Sequence, residues 1–175
     1  MVFWNSFICN GAEYNLSHLH PSQLTFIQPA NTSNHERIYK VEVAYSLHCF
    51  TRKYDPNVPL LSYADVREER TFDFVRYELS KKLPEIMRGL DKKKCLHSGK
   101  GNFFVIETIT PNGDKKDYEV YFDVTKSKTP GFVSLYVQSA YIRDSYHENR
   151  PNNKKIAFVV ILHNRLNGKE IKIPT

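Results

Sequence analysis

Hydrophobic and polar residues alternate most clearly over residues 38–52. One side of the alternation holds Tyr39, Val41, Val43, Tyr45, Leu47 and Cys49, and the other holds Ile38, Lys40, Glu42, Ala44, Ser46 and His48. Because successive side chains of a strand point to opposite faces, this period of two predicts a half-buried strand. The first set is the more apolar, so we expect it to face the core.

The period changes to three and four over residues 72–90. The apolar positions form one stripe made of Phe72, Val75, Leu79, Leu83, Ile86 and Leu90. Such a stripe predicts an amphipathic helix. Pro84 lies inside it, and a proline within a helix removes a backbone donor. We therefore expect the helix to kink at Pro84 or to divide into two.

Four strands are predicted in the C-terminal half, at residues 103–109, 118–124, 132–139 and 156–162. The Pro-Asn-Gly-Asp sequence at 111–114 favours a hairpin turn between the first two strands. The predicted fold class is α+β, with N-terminal strands, one amphipathic helix region and then a four-stranded antiparallel meander.

The first 37 residues lack a clear period, apart from an edge strand expected at residues 23–28. A length of 175 residues is typical of one domain, so we predict a single domain over 1–175. Residues 1–37 are then an irregular segment that packs on it or mediates partner contacts. The chain shows no membrane-length apolar run and no basic leader, which favours a cytoplasmic location.

Cysteines and cofactor motifs limit the chemistry. The three cysteines are widely spaced, which favours reduced thiols over a disulfide framework. No Gly-rich nucleotide loop and no GxSxG motif is present, so no cofactor is predicted. Soft ligands occur at His48-Cys49, at Cys95 and His97, and at His18 and His20, but without the paired knuckles of structural zinc sites. We therefore predict no metal site and expect Cys49 to be a core thiol.

Basic residues are concentrated in two segments of a chain with a net charge of +6. Residues 81–100 hold seven Lys or Arg against two carboxylates, and residues 141–175 hold seven against three. If folding joins these segments, they form one surface suited to phosphates; if not, they are ordinary solvated faces. The predicted nucleic-acid-binding residues are Lys92, Lys93, Lys94, Lys100, Lys154 and Lys155. RNA is favoured over DNA, with an acidic protein partner as the alternative.

Polar residues gather near the ends of the predicted C-terminal strands. RNA cleavage without a metal needs a base for the ribose 2′-hydroxyl, an acid for the leaving oxygen and a cation for the phosphate. Residues of those types are His97, His163, Tyr141, Arg143 and Arg150. Histidine suits proton transfer because its ordinary pKa lies near neutrality. We hypothesise that these residues converge on one phosphate-sized site; the alternative is that each has a structural role.

The order of the predicted elements resembles the compact ribonuclease-toxin folds of the RelE, barnase and EndoU type. The resemblance covers about residues 72–166 and consists of the helix, the meander and the polar residues 138–150 at a strand end. It implies catalysis by His, Glu, Arg, Lys or Tyr on one sheet face. No firm counterpart of a catalytic Glu is present, although Glu107 and Glu119 lie on predicted strands.

Two hypotheses of other classes stay open. In the first hypothesis, the chain is a non-catalytic binding or inhibitor protein that uses its basic segments to bind nucleic acid or an acidic protein. Alternatively, it is a structural subunit of a larger assembly, in which case exposed aromatic residues should adjoin an unpaired sheet edge.

Overall fold

The computed structural model describes residues 2–32, 35–98, 101–110, 114–143 and 154–171. The strands of the N-terminal half are β1 (Phe7–Cys9), β2 (Ala12–Tyr14), β3 (Ser22–Gln28), β4 (Arg37–Tyr45), β5 (Thr51–Arg52), β6 (Ser62–Ala64) and β7 (Glu69–Phe72). The remaining elements are α1 (Phe74–Ser80), α2 (Leu83–Arg88), β8 (Lys94–His97), β9 (Phe103–Ile109), β10 (Lys116–Lys126), β11 (Phe132–Ile142), β12 (Lys155–Ala157) and α3 (Phe158–Leu166).

A seven-stranded sheet organises the fold, in the order β12-β8-β9-β10-β11-β4-β3. Neighbouring strands are antiparallel except for β11 and β4, which are parallel. The α+β class is thereby confirmed. Strands β9 and β10 are antiparallel neighbours, as expected for the predicted hairpin. Residues 111–113 of the predicted turn lie outside the described residues.

The predicted four-stranded meander is wrong in its last strand. Residues 155–157 form the short strand β12, and α3 begins directly after it. The apolar run of α3 contains β-branched residues, which favour a strand locally. Its burial nevertheless follows the helical period: Phe158, Ile161 and Leu162 are buried, whereas Val160 is 45% exposed. Tertiary packing of one apolar stripe on the sheet therefore overrides the local preference.

The predicted division of the amphipathic helix at Pro84 is confirmed. Helix α1 begins after Asp73, whose carboxylate accepts a hydrogen bond from the backbone N–H of Arg76 at 2.9 Å. Pro84 lies in the first turn of α2, where its missing N–H would have no partner within the helix. No helix in the described ranges is long and apolar enough to cross a membrane.

Strand β4 has the predicted inward face but ends earlier than the sequence indicates. Tyr39, Val41, Val43 and Tyr45 are all buried. Ser46 then accepts a hydrogen bond from the N–H of His48 at 3.2 Å and begins a 3₁₀ turn. The buried Leu47 and Cys49 thus belong to this turn and not to the strand.

The N-terminal segment contributes to the core. Buried Trp4 donates a hydrogen bond from Nε1 to the carbonyl oxygen of Tyr45 at 3.1 Å. Phe7 in β1 stacks on Phe72 in β7 with ring centroids 4.1 Å apart. The segment also supplies β3, the edge strand expected at residues 23–28. These contacts join the first residues of the chain to β4 and to the small β5-β7-β6 sheet.

Candidate functional site

The predicted catalytic residues fall on opposite faces of the seven-stranded sheet. His97 pairs with Phe103, and Phe103 pairs with Phe122, which packs against α3. Tyr141 instead pairs with Glu119. Because Glu119 and Phe122 are three positions apart on β10, Glu119 faces away from α3. The single converging site expected from the sequence is therefore not formed; Arg150 lies outside the described residues.

The two histidines lie on different elements. His163 lies on α3, and its Nδ1 is 3.4 Å from the hydroxyl of Tyr39 and 3.4 Å from Nη1 of Arg37. His97 is on β8, and the strand that carries Tyr39 is β4. Arg165 of α3 lies near enough to His97 for its charge to lower the pKa of that imidazole. A catalytic role for either histidine stays a prediction.

Arg143 forms a buried ion pair. Its Nη1 lies 2.9 Å from Oε1 and 3.1 Å from Oε2 of Glu119, which is fully buried. The hydroxyl of Tyr121 donates a second hydrogen bond to Glu119 Oε2 at 2.8 Å. The hydrogen bond with Glu119 raises the pKa of Arg143. Arg143 therefore has a structural partner that accounts for its position.

Tyr141 is part of an aromatic stack across three strands. Phe104 stacks on Tyr121 with centroids 5.0 Å apart, and Tyr121 stacks on Tyr141 at 5.7 Å. The guanidinium of Arg76 lies 5.5 Å from the centroid of Tyr141 and ends the stack. Arg76 also donates hydrogen bonds to two backbone carbonyls before α1. This arrangement fixes the Tyr141 ring within the protein's own packing.

His97 is expected to make the folded state sensitive to acid. It is 4% exposed, and burial, with the nearby charge of Arg165, lowers its pKa from the ordinary value of 6.5. Below pH 6.5 the unfolded chain binds more protons than the folded chain, so the free energy of unfolding falls as the pH drops toward the folded pKa.

Urea unfolding of wild type and His97→Gln between about pH 7.5 and about pH 5 measures this effect. The variant should lose less stability on acidification than wild type. His18, whose pKa is also lowered by burial, contributes the same sign and serves as the comparison through His18→Gln. An identical pH slope in wild type and His97→Gln would contradict the assignment.

The candidate metal ligands have other partners. His48 Nε2 lies 2.7 Å from Glu68 Oε1, and Cys49 is fully buried with its thiol 3.8 Å from the carbonyl oxygen of Val137. Burial raises the pKa of Cys49 to about 12, which keeps the thiol protonated. Among the described residues there is no group of three or more His, Cys, Asp or Glu placed to hold a metal ion.

A basic groove of about 560 Å³ lies between α2, the turn after it and the end of β9. Its charged lining consists of Lys82, Glu85, Arg88, Lys92, Lys93 and Glu107. Lys93 forms an ion pair with Glu107. For the other three cations, no carboxylate in the described part of the chain lies within ion-pair distance. The amphipathic pattern of α2 explains the lining, since Ile86 faces inward and places Lys82 and Arg88 at the rim.

The groove continues past the end of α1. A second depression of about 310 Å³ shares Lys82, Thr108 and Ile109 with the first and extends to Leu79 and Thr110. Ile86 and Ile109 are buried and give the main groove an apolar floor. The result is an elongated concave surface with cations at its rim.

The two basic segments meet where β8 pairs with β12. Lys94 lies opposite Ala157, and Lys155 lies opposite Leu96, so both exposed lysines share one face of this sheet edge. Lys154, next to them, accepts a hydrogen bond at its carbonyl oxygen from the N–H of His97. The predicted lysines thus divide between the groove, with Lys92 and Lys93, and this edge; Lys100 lies outside the described residues.

Comparison with known proteins places the chain in a family. The sequence model of the YjaZ family matches residues 6–166. The chain belongs to the YjaZ family. Protein YjaZ of Escherichia coli (strain K12) is 30% identical over 166 residues, which cover 92% of this chain and 89% of the relative. No solved structure matches the chain.

The resemblance of this YjaZ family member to ribonuclease toxins of the RelE, barnase and EndoU type is wrong. The family match covers the same region, residues 72–166, and assigns it to the YjaZ family instead. The fourth strand, on which the resemblance depended, is mostly the helix α3. A shared order of a helix and a few strands was insufficient to identify a family.

Sequence reasoning did not assign Lys82, Arg88 or Glu119 of this YjaZ family member to a site. The signal for Lys82 and Arg88 was their place beside the apolar stripe of the helix, but it did not show which other element they would face. For Glu119, the alternation along β10 shows only that its side chain and that of Val120 lie on opposite faces of the strand. It does not show which of the two faces is covered. Its pairing with Arg143 depends on the register between β10 and β11.

Proposed function

We propose that this YjaZ family member is a non-catalytic binding protein whose basic groove binds single-stranded RNA. The observation that carries the proposal is the set of three rim cations, Lys82, Arg88 and Lys92, that have no carboxylate within ion-pair distance in the described residues. Such cations attract phosphates and release counterions when a nucleic acid binds. They lie in the first of the two basic segments.

The remaining lining of the groove suits RNA in particular. Ile86 and Ile109 provide an apolar floor for unpaired bases. Glu85 and Glu107 supply carboxylate oxygens that accept hydrogen bonds. A ribose 2′-hydroxyl is a donor that DNA lacks, so these acceptors favour RNA over DNA.

Binding has more support than cleavage. The metal-independent nuclease hypothesis requires the candidate acid, base and cation to surround one phosphate. His97 lies on the sheet face that α3 covers, whereas Arg143 pairs with buried Glu119 on the other face. We therefore expect intact RNA in the complex.

Salt dependence of RNA binding is the first test. With the three rim cations in contact with phosphates, the affinity for a fluorescent single-stranded RNA of about 12 nucleotides should fall about 20-fold between about 50 mM and about 200 mM salt. Fluorescence anisotropy in EDTA measures the affinity, and gel electrophoresis of the same samples shows whether the RNA stays intact.

The control variants locate the binding site. Combining Lys82→Ala, Arg88→Ala and Lys92→Ala should lower the slope of log affinity against log salt by about 2, whereas Lys53→Ala, at an exposed lysine outside the groove, should leave it unchanged. Equal affinity of the triple variant and wild type would remove the groove from the proposal. Degraded RNA, protected by His97→Ala, would favour the nuclease instead.

An acidic protein segment is the second candidate ligand. The described residues that line the groove include no aromatic side chain, and base stacking on aromatic rings is a main source of affinity for unpaired nucleic acid. A poly-glutamate peptide added to the same anisotropy experiment tests this candidate. If the peptide binds and RNA does not bind even at low salt, the ligand of the groove is an acidic protein segment and not RNA.

A further inference from the structure

The two edges of the seven-stranded sheet differ in how they are protected. Strand β12 at one edge has three residues and carries the exposed Lys155. A short, charged edge of this kind resists pairing with other strands. Strand β3 at the opposite edge has seven residues, and in the described ranges only β4 pairs with it.

Within its own seven residues, strand β3 lacks the charges, proline and bulge that usually protect an edge. Its sequence, Ser-Gln-Leu-Thr-Phe-Ile-Gln, contains no charge, no proline and no glycine. It pairs with β4 in unbroken register from Ser22 to Gln28, without a bulge. Ile27 and its cross-strand partner Ile38 are 53% and 56% exposed. A regular, uncharged edge beside an exposed apolar pair is typical of a strand that accepts another strand.

We propose that β3 pairs antiparallel with β3 of a second copy of this chain, about a two-fold axis at Thr25. The axis places Leu24 opposite Phe26 of the second copy and Gln23 opposite Ile27, so each residue meets one on the same sheet face. The two sheets then form one continuous sheet. Pro21 and Pro29 flank the strand and limit the pairing to these seven residues.

The charge distribution permits a second copy as the occupant of the β3 edge. The chain carries a net charge of +6, so two copies repel wherever their basic segments meet. Those segments lie in the α2 groove and at the β8–β12 edge, and β8 is five strand positions from β3. The uncharged β3 edge allows close approach with the basic surfaces far apart. The pairing is independent of RNA binding.

Light scattering coupled to size exclusion tests the proposal on the whole chain. The mass should rise from 20.5 kDa toward twice that value as the concentration increases from about 5 µM to about 500 µM, because a single strand pair makes a small interface. Thr25→Lys places like charges opposite each other at the axis, beside Lys40 of the same chain, and should weaken dimerisation about fivefold or more.

Mixing the two charged variants tests directly whether residue 25 of one copy faces residue 25 of the other. Thr25→Lys alone should be largely monomeric, and an equimolar mixture with Thr25→Glu should regain the dimer because opposite charges now face each other. Thr25→Val keeps the β-branched shape without charge and should dimerise like wild type. A wild-type chain that stays at 20.5 kDa throughout overturns the proposal and leaves the edge to a strand of a different protein. A dimer unaffected by Thr25→Lys overturns it as well.

Discussion

Replacing Arg143 with alanine is expected to lower the free energy of unfolding by about 3–5 kcal/mol. Glu119 is fully buried, and Arg143 contacts both of its carboxylate oxygens. Without the guanidinium, the carboxylate keeps the hydrogen bond from the Tyr121 hydroxyl, at 2.8 Å, but no positive charge offsets its own. An uncompensated buried charge is far more costly than the ion pair is stabilising. Urea unfolding near neutral pH measures the change.

Two further variants separate the buried charge from a general loss of packing. Combining Arg143→Met with Glu119→Gln removes both charges and should be clearly less destabilised than Arg143→Ala alone. Lys81→Ala breaks an exposed ion pair with Glu78, whose side chains are 46% and 63% exposed, and should cost at most about 0.5 kcal/mol. A loss below about 1 kcal/mol for Arg143→Ala would contradict the ion pair as a structural element.

This ion pair affects how activity data on the sequence-predicted site should be interpreted. Arg143 was predicted as a phosphate-binding cation, but the structure joins it to Glu119. A loss of RNA binding in Arg143→Ala therefore has a structural explanation unless the fold is shown to be intact. Lys92 is a better test residue, since it lines the groove and has no ion-pair partner within the described ranges.

Local patterns predicted the elements whose burial is decided within a single segment. The alternation over β4 identified Tyr39, Val41, Val43 and Tyr45 as inward, and all four are buried. The predicted bounds of β9 match the structure, at Phe103–Ile109. Pro84 indicated the break between α1 and α2 because its effect on a helix depends only on the adjacent backbone.

Other features depend on contacts between distant segments and could not be read from local patterns. The run that begins at Phe158 fits a strand by composition, and it becomes a helix because Phe158 packs against Phe26 and Phe122 of the sheet. The separation of His97 from Tyr141 follows from strand register. Residue types alone indicated candidate chemistry, but the sheet decides which side chains can meet.

Replacing Phe72 with alanine is expected to cost about 3–5 kcal/mol of unfolding free energy. Phe72 is 1% exposed and contacts five aromatic rings, those of Phe7, Tyr14, Phe50, Phe74 and Tyr77. Removal of the ring leaves a cavity that rigid neighbours fill poorly, and it separates the β1–β2 hairpin from β7 and α1. Urea unfolding gives the free energy.

Phe74→Ala is the matched control, since Phe74 belongs to the same cluster but is 38% exposed. Its loss should be clearly smaller, about 1 kcal/mol, because less apolar surface is buried there. Limited proteolysis provides a second measurement. Phe72→Ala should make residues 1–37 easier to cleave, while Phe74→Ala should leave them protected. If both variants were equally stable and equally resistant, the aromatic cluster would not be what holds the N-terminal segment on the core, and that segment would again be a candidate for partner contacts.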